Sequence, residues 1–162
     1  MVKLINLYKG FNIKSLEGCK SLESLELVGI SHVDLEGDIL ELGTGLGYST
    51  RHMAAALTSG TFYLCDYNSD LLESVVSDLP LFNCHKLSGP VNESLKSLPE
   101  DKYFDLIFLD IDKRDYLEAF EMSWPKLRAG GLMVVDNIYF GGRVFEEYPK
   151  KKAGVQNILQ LI

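Results

Sequence analysis

Two short segments hold the residues whose types and spacing could do chemistry. The first is Glu41–Gly47 (ELGTGLG), a glycine-rich turn. The second is Leu109–Lys113 (LDIDK), with Asp136 and Asn137 further along the chain. Glycines allow a backbone to approach a nucleotide-like ligand closely. Carboxylate and amide oxygens beside an amine suit a hard metal ion and the transfer of a proton. Together the two segments predict the active site of an enzyme.

The glycine-rich turn is predicted to bind a nucleoside-type ligand. Its glycines are spaced G-x-G-x-G, at Gly43, Gly45 and Gly47, and not G-x-G-x-x-G as in dinucleotide-binding folds. A plain tight connection between a strand and a helix is the alternative. Asp66 ends the next predicted strand, where its carboxylate is expected to accept hydrogen bonds from the ribose hydroxyls. The alternative for Asp66 is a helix start or a solvated turn.

Further positions around the turn complete the predicted ligand site. Glu41 is expected either to face a ligand ammonium group or to fix the loop by binding backbone N–H groups. Ser49 lies near the start of a predicted helix, where it could bond a ligand carboxylate or act as the N-cap. Gly89 and Val91 follow the third predicted strand and are expected to lie against an adenine ring.

Asp110, Asp136 and Asn137 are the candidate metal ligands. They end two predicted strands, and their oxygens suit Mg²⁺ or another divalent cation such as Ca²⁺ or Mn²⁺. Each of them could instead be the polar end of a buried strand. Beside such a cation the pKa of Lys113 would fall, which would make it a base for a hydroxyl proton. The alternative is an exposed lysine paired with Asp112.

A parallel sheet is the element that must position these residues, because the carboxyl ends of its strands meet at one edge. Short apolar segments alternate with helical ones, which predicts an α/β, Rossmann-like, doubly wound, mostly parallel sheet with helices on both faces. The predicted strands are Asp38–Leu42, Thr61–Asp66, Leu81–Leu87, Phe104–Asp110 and Gly131–Asp136. The predicted helices are Tyr48–Leu57, Ser69–Asp78, Val91–Leu98, Tyr116–Leu127 and Lys152–Leu161.

Length and composition favour one globular domain over the 162 residues. We divide it into an N-terminal helical segment (1–37), a core (38–144) and a C-terminal helix (145–162). The net charge of −7 disfavours nucleic acid as a partner, and no apolar run is long enough to span a membrane. The N-terminus does not fit a signal peptide, so a cytoplasmic location is expected. The cysteines, at positions 19, 65 and 84, form no CxxC pair and are expected to be reduced.

Three segments resemble one known family, the cation-dependent class I S-adenosylmethionine O-methyltransferases of the catechol and caffeoyl-CoA type. The resemblance covers about residues 38–144. Glu41–Thr50 (ELGTGLGYST) is similar to the cofactor loop, which all class I methyltransferases share. Phe104–Tyr116 (FDLIFLDIDKRDY) and Asp136–Val144 (DNIYFGGRV) are similar to the two metal segments, which are specific to this branch.

The resemblance implies S-adenosylmethionine as cofactor and methyl transfer to a hydroxyl of a small catechol-like aromatic. It implies Lys113 as the catalytic base. The metal ligands implied are Asp110, Asp136 and Asn137. The implied cofactor contacts are Glu41, Gly43, Gly45, Gly47, Ser49, Asp66, Gly89, Val91 and Asp110.

The chain departs from the family pattern at three places. Pro90 stands where a polar residue is usual, and the segment before the glycine loop is short. The resemblance also implies two further strands after the predicted helix at Lys152–Leu161. Without them, Leu132–Val135 would be an edge strand, so a fragment, a homodimer that covers the edge, or a minimal variant is expected. Two functional alternatives therefore stay open. They are a methyltransferase with a vestigial metal site and another small-molecule substrate, and a truncated S-adenosylmethionine-binding module without turnover.

Overall fold

The computed structural model describes residues 35–79, 83–138 and 153–161. Seven strands alternate with helices along the described chain. The strands are β1 (Leu35–Glu36), β2 (Ile39–Leu42), β3 (Leu57–Ser59), β4 (Phe62–Asp66), β5 (Cys84–Ser88), β6 (Phe104–Leu109) and β7 (Leu127–Val135). The helices are α1 (Tyr48–Ala56), α2 (Ser69–Ser77), α3 (Val91–Ser97), α4 (Tyr116–Ser123) and α5 (Ala153–Leu161), with a 3₁₀ turn at Trp124–Lys126.

Five of the strands form one parallel sheet in the order β5-β4-β2-β6-β7. The strand order reverses at β2, which has β4 on one side and β6 on the other. This reversal defines a doubly wound fold and creates a crevice at the carboxyl ends of β2, β4 and β6. Within the described residues β7 pairs only with β6, so Leu132–Val135 lies at one edge of this five-stranded sheet.

Helices cover both faces of the sheet, and the side chains of each strand alternate between them. On one face Leu40 and Leu42 pack in a cluster with Leu95 of α3 and Ala119 of α4. On the other face Ile39 packs with Met53 of α1 and, through the same cluster, with Leu72 of α2. The predicted fold class is therefore confirmed.

The helix α4 ends earlier than the predicted Tyr116–Leu127. It stops at Ser123, and the chain then tightens into the 3₁₀ turn because Pro125 has no N–H to continue the α-helical ladder. Leu127 belongs to β7, which begins before the predicted Gly131. The pairing jumps from Phe104↔Leu127 to Leu106↔Leu132, so the intervening residues form a bulge in which Gly130 takes a φ of +83°.

Neither β1 nor β3 is among the strands that the sequence pattern predicts. They pair with each other as a separate two-stranded parallel sheet, and both are too short to show a period. The predicted helical segment at 1–37 lies outside the described residues up to position 34. The predicted strand Leu81–Leu87 is found as Cys84–Ser88, and most of the second metal segment, from position 139 onward, is also outside the described part.

Candidate active site

A cleft of about 1060 Å³ opens at the carboxyl ends of the strands, where the topology predicts a ligand site. Its walls come from the loop after β2, the ends of β4 and β5, and the residues that follow β6 and β7. Of the residues predicted from the sequence, those that line it are Gly43, Gly45, Ser49, Asp66, Gly89, Val91, Asp110 and Asp136. The predicted residues that do not line it are Glu41, Gly47, Lys113 and Asn137.

The glycine loop has a backbone that only glycine fits. Gly43 has a φ of +95°, and a Cβ there would lie 1.9 Å from the carbonyl oxygen of Asp110. At Gly47, with a φ of +76°, a Cβ would lie 2.5 Å from Cγ1 of Val75. Gly45 differs, because nothing lies within 4 Å of its Cβ position. The first and third glycines therefore close the loop onto the protein, and the middle one leaves open space in the cleft.

Glu41 lies at the end of β2 and is fully buried under α1. The hydroxyl of Ser49 donates to its Oε1 at 2.5 Å, and the hydroxyl of Thr50 donates to its Oε2 at 2.6 Å. Burial raises the pKa of Glu41 to about 7, although both hydroxyl groups oppose the rise. Glu41 thus ties the end of β2 to the first turn of α1, and among the described residues its donors are side-chain hydroxyls and not the expected backbone N–H groups.

Ser49 is not the N-cap of α1. That position belongs to Gly47, in the left-handed conformation, and no side chain caps the helix. Ser49 lines the cleft from the first turn of the helix, and its hydroxyl donates to Glu41. Its predicted contact with a ligand carboxylate stays a prediction.

Asp66 ends β4 and is nearly buried, at 8% exposure, with its carboxylate at the cleft wall. Its Oδ2 accepts the N–H of Gly45 at 2.8 Å, and its Oδ1 accepts the N–H of Asn68 at 2.9 Å. The carboxylate therefore ties the glycine loop to the start of α2. A carboxylate oxygen has two lone pairs, so acceptance of ribose hydroxyls at the same atoms remains compatible with these bonds.

Gly89 and Val91 lie where β5 turns into α3, and both line the cleft. The N–H of Gly89 donates to the carbonyl of Asp66 at 3.0 Å, which holds this turn against the predicted ribose residue. Gly89 has a φ of +123° and open space at its Cβ position. The space beside Gly89 is therefore open to the cleft, and the contact with an adenine ring stays a prediction.

Asp110 and Asp136 come together at the ends of β6 and β7. The residues before them, Leu109 and Val135, are register partners, and the N–H of Asp136 donates to the carbonyl of Leu109 at 2.9 Å. Asn137 follows directly, in a turn where its φ of +49° is one that Asn adopts more readily than most residues. Within the described residues no group of three or more His, Cys, Asp or Glu side chains could hold a metal ion. The metal site thus stays a prediction that depends on an amide oxygen as the third donor.

Lys113 is directed inward, with only 11% of its side chain exposed. Its Nζ lies 3.5 Å from Oδ1 of Asp110 and 3.4 Å from the carbonyl oxygen of Asp136. The alternative of an exposed lysine paired with Asp112 is therefore wrong. Asp112 pairs instead with Arg114, whose guanidinium donates to both carboxylate oxygens and lowers the pKa of Asp112 to about 2.

Several residues of the site are not among the sequence predictions. Tyr116 receives a hydrogen bond from Lys113, and in the sequence it stands only as the last residue of the segment Phe104–Tyr116, with no predicted role. The guanidinium of Arg51 donates to the carbonyls of Leu46 and Gly47 at 2.8 and 3.0 Å, which stabilises the glycine loop. Leu46, Tyr48 and Tyr67 form an exposed apolar rim on the cleft. Exposure of this kind has no signature in a single sequence.

Among the described helices, none has the length and the apolar composition needed to cross a membrane.

The fold and the cleft define a Rossmann-like methyltransferase domain. Comparison with known proteins identifies the family to which it belongs. A family model described as O-methyltransferase matches residues 26–162. The chain therefore belongs to the O-methyltransferase family.

Curated relatives agree with this assignment. The chain is 34% identical over 117 residues to catechol O-methyltransferase from Niastella koreensis, a match that covers 68% of this chain and 53% of the relative. It is 34% identical over 127 residues to caffeoyl-CoA O-methyltransferase 2 from Zea mays, covering 70% and 47%. The chain thus spans about half the length of the curated relatives it matches.

Solved structures share the fold. The O-methyltransferase TomG from Streptomyces achromogenes, in complex with SAM, has a TM-score of 0.68 and 31% identity, and the match covers 76% of this chain and 58% of that one. The O-methyltransferase from Bacillus cereus, in complex with SAH, has a TM-score of 0.69 and 25% identity, covering 84% and 62%.

Proposed function

We propose that this protein transfers a methyl group from S-adenosylmethionine to a hydroxyl of a small catechol-like aromatic, with a divalent cation at the ends of β6 and β7. One observation carries the proposal. The amine of Lys113 lies against both Asp110 and the backbone of Asp136, beside the same cleft that the glycine loop lines. The family and the names of the two curated relatives support the reaction class and the acceptor class.

The cleft fits the cofactor at the glycine loop. The backbone of Gly45 is exposed to the cleft, with open space at its Cβ position. Asp66 and Gly89 line the same cleft at the ends of the neighbouring strands β4 and β5. S-adenosylmethionine, when bound, supplies a methyl group on a positively charged sulfonium. The side chains of Asp66, Asp110 and Asp136 line the cleft, so their negative charge favours a cationic centre in it.

The donor set at β6 and β7 fits a hard divalent cation. Asp110, Asp136 and Asn137 offer only oxygen ligands, which Mg²⁺, Ca²⁺ and Mn²⁺ prefer. Such a cation, when bound, supplies Lewis-acid polarisation that lowers the pKa of a hydroxyl group beside it. The site would leave coordination positions for the two vicinal oxygens of a catechol.

The protein's own part in the reaction is to orient the acceptor and to accept its proton. The Lys113 amine lies against Asp110 and the backbone of Asp136, which follow β6 and β7. There it can take a proton from an acceptor hydroxyl held at the ends of these strands. Glu41 and Asp66 accept hydrogen bonds from groups in or next to the glycine loop, which fixes the loop. The fixed loop would in turn orient S-adenosylmethionine. Proximity and charge placement would then provide most of the rate.

Calorimetry and a methyl-transfer assay test this function. We expect S-adenosylmethionine to bind, and transfer to a catechol to require Mg²⁺ and to be lost in Lys113→Ala and in Asp136→Ala. Lys96→Ala is the matched control, since Lys96 is exposed on α3 and does not line the cleft. Transfer that persists in EDTA would contradict the metal role, and cofactor binding without any transfer would contradict the enzymatic function.

A metal-independent methyltransferase acting on another small molecule is the second candidate. The observation in its favour is that the described residues provide two carboxylates at the strand ends and no third acidic, histidine or cysteine ligand. The EDTA arm of the same assay separates the two candidates.

A further inference from the structure

We propose that Tyr116 is a positioning residue whose buried phenol fixes the amine of Lys113 between the ends of β6 and β7. The role in catalysis rests on the function proposed above. The contact itself does not depend on that function, and it is tested separately below.

The phenol of Tyr116 lies at the junction of the two strands. Tyr116 begins α4 and is fully buried in the core cluster on that face of the sheet. Its hydroxyl donates to the carbonyl of Asp136 at 3.0 Å, and the carbonyl of Leu109 is 3.4 Å away. Leu109 ends β6 and Asp136 directly follows β7, so one hydroxyl group lies within hydrogen-bonding distance of both strand ends.

Lys113 reaches this hydroxyl from the other side. Its Nζ donates to Oη of Tyr116 and lies 4.1 Å from the centroid of the ring. The amine also contacts the carbonyl of Asp136 at 3.4 Å, so amine and phenol share one acceptor. A lysine on a flexible four-carbon stem loses its freedom only through such contacts. The phenol accepts from the amine and donates to the backbone, which gives the amine one defined place.

Core packing alone does not explain a tyrosine at this position. A phenylalanine would fill the same space, whereas a buried phenol must find hydrogen-bond partners or weaken the core. Here the partners are a strand-end carbonyl and the predicted base. Tyr116→Phe therefore removes one hydroxyl group and leaves the ring packing, and Tyr103→Phe makes the same change at a tyrosine that is 47% exposed and does not line the cleft.

The contact is tested by the reactivity of individual lysines in the protein alone, without metal or cofactor. Each variant is labelled with a trace of acetic anhydride, and the rates are read by peptide mass spectrometry. We expect Lys113 to be labelled at least threefold faster in Tyr116→Phe than in the wild type, with Lys96 unchanged and no effect of Tyr103→Phe. An unchanged rate at Lys113 in folded Tyr116→Phe would overturn the proposal.

The catalytic consequence is tested by separating kcat from KM. Loss of a hydrogen bond to a charged group should lower kcat about tenfold. The KM for S-adenosylmethionine should stay unchanged, because the phenol does not line the cleft. If both parameters move together with the melting temperature, Tyr116 is merely structural and the positioning role is wrong. If the wild type transfers no methyl group, the proposed function fails, and the labelling result alone decides the contact.

A reciprocal variant keeps the test decisive if Tyr116→Phe does not fold. In Lys113→Met the tyrosine ring stays and its donor is lost. With ¹³C-labelled tyrosine, the Cζ resonance of Tyr116 should shift relative to the wild type, while that of Tyr103 should not. Equal spectra at Tyr116 would show that the amine and the phenol do not interact.

Discussion

The two halves of the cleft treat their carboxylates differently. At the ends of β2 and β4, Glu41 and Asp66 are buried and accept short hydrogen bonds from the loop and helix that follow. At the end of β6, the side chain of Asp110 is 46% exposed, and its contact with Lys113 is 3.5 Å long. We call the first the bonded half, because its carboxylates accept hydrogen bonds from the protein itself. We call the second the open half, because the carboxylate of Asp110 is exposed to the cleft.

The bonded half is preorganised by the protein's own hydrogen bonds, whereas the open half depends on its ligands. The glycine loop is held by fixed hydrogen bonds and tight backbone contacts, so its geometry exists before any ligand arrives. The ends of β6 and β7 bring Asp110 and Asp136 to neighbouring positions, where the half-exposed carboxylate of Asp110 is accessible to a cation from the cleft. Substitutions in the two halves should therefore have different consequences for stability and for activity.

The largest effect is expected at the open half. Asp110→Asn should lower metal-dependent methyl transfer about 1000-fold, because it removes a charge that stabilises the reacting centre. Stability should change little, since the side chain is half exposed. Asp70→Asn is the matched control, because Asp70 is exposed on α2 and does not line the cleft, and it should change kcat by less than about threefold. Similar losses in the two variants, measured by steady-state kinetics, would remove the distinction between the halves.

At the bonded half the loss should appear in stability. Gly43→Ala combines a φ of +95° with a Cβ 1.9 Å from the carbonyl oxygen of Asp110, so we expect the free energy of unfolding to fall by about 4 kcal/mol. Gly45→Ala has a φ of +53° and open space, and should cost about 1 kcal/mol. Urea denaturation of both variants checks this. Equal costs would mean that the loop is not closed onto β6.

The buried carboxyl of Glu41 gives this half a pH dependence. Its pKa is about 7 in the folded protein and ordinarily 4.5, so between these values the folded state binds the proton more tightly. The free energy of unfolding should therefore fall as pH rises from 4.5 to 7, by on the order of 3 kcal/mol in total.

Glu41→Gln cannot titrate and should remove this contribution. We would measure urea denaturation of wild type and variant at pH 5 and pH 7.5. A difference between the two proteins that does not change with pH would contradict the raised pKa.

The smallest effect concerns the outside of the loop. Arg51 donates to two loop carbonyls, so Arg51→Ala should weaken S-adenosylmethionine binding about threefold, as expected for a partly exposed hydrogen bond. Asp78→Asn removes only the exposed ion pair with Arg51 and should leave affinity unchanged. Calorimetry on both variants decides whether the loop carbonyls or the ion pair matter.

Much of the site could be predicted from the sequence because its residues follow strand ends. Gly43, Asp110 and Asp136 come directly after strands whose apolar pattern is clear, Asp66 ends such a strand, and a parallel sheet brings these positions to one edge. Element bounds were less predictable where local chemistry intervened. Pro125 ends α4 early, and the bulge near Gly130 lengthens β7. Neither effect changes the spacing of apolar residues from which the elements are predicted.

The sequence by itself determined the fold class, the position of the glycine loop and which acidic residues stand at the strand ends, because strand and helix periods and turn residues are local properties. Only the tertiary structure decided which groups these residues bind. The contact of Lys113 with the carbonyl of Asp136, the hydrogen bond from Gly45 to Asp66 and the burial of Glu41 under α1 all depend on packing between separate elements. The physical reason is that hydrogen-bond partners and desolvation are set by neighbours in space, and a single sequence records only neighbours along the chain.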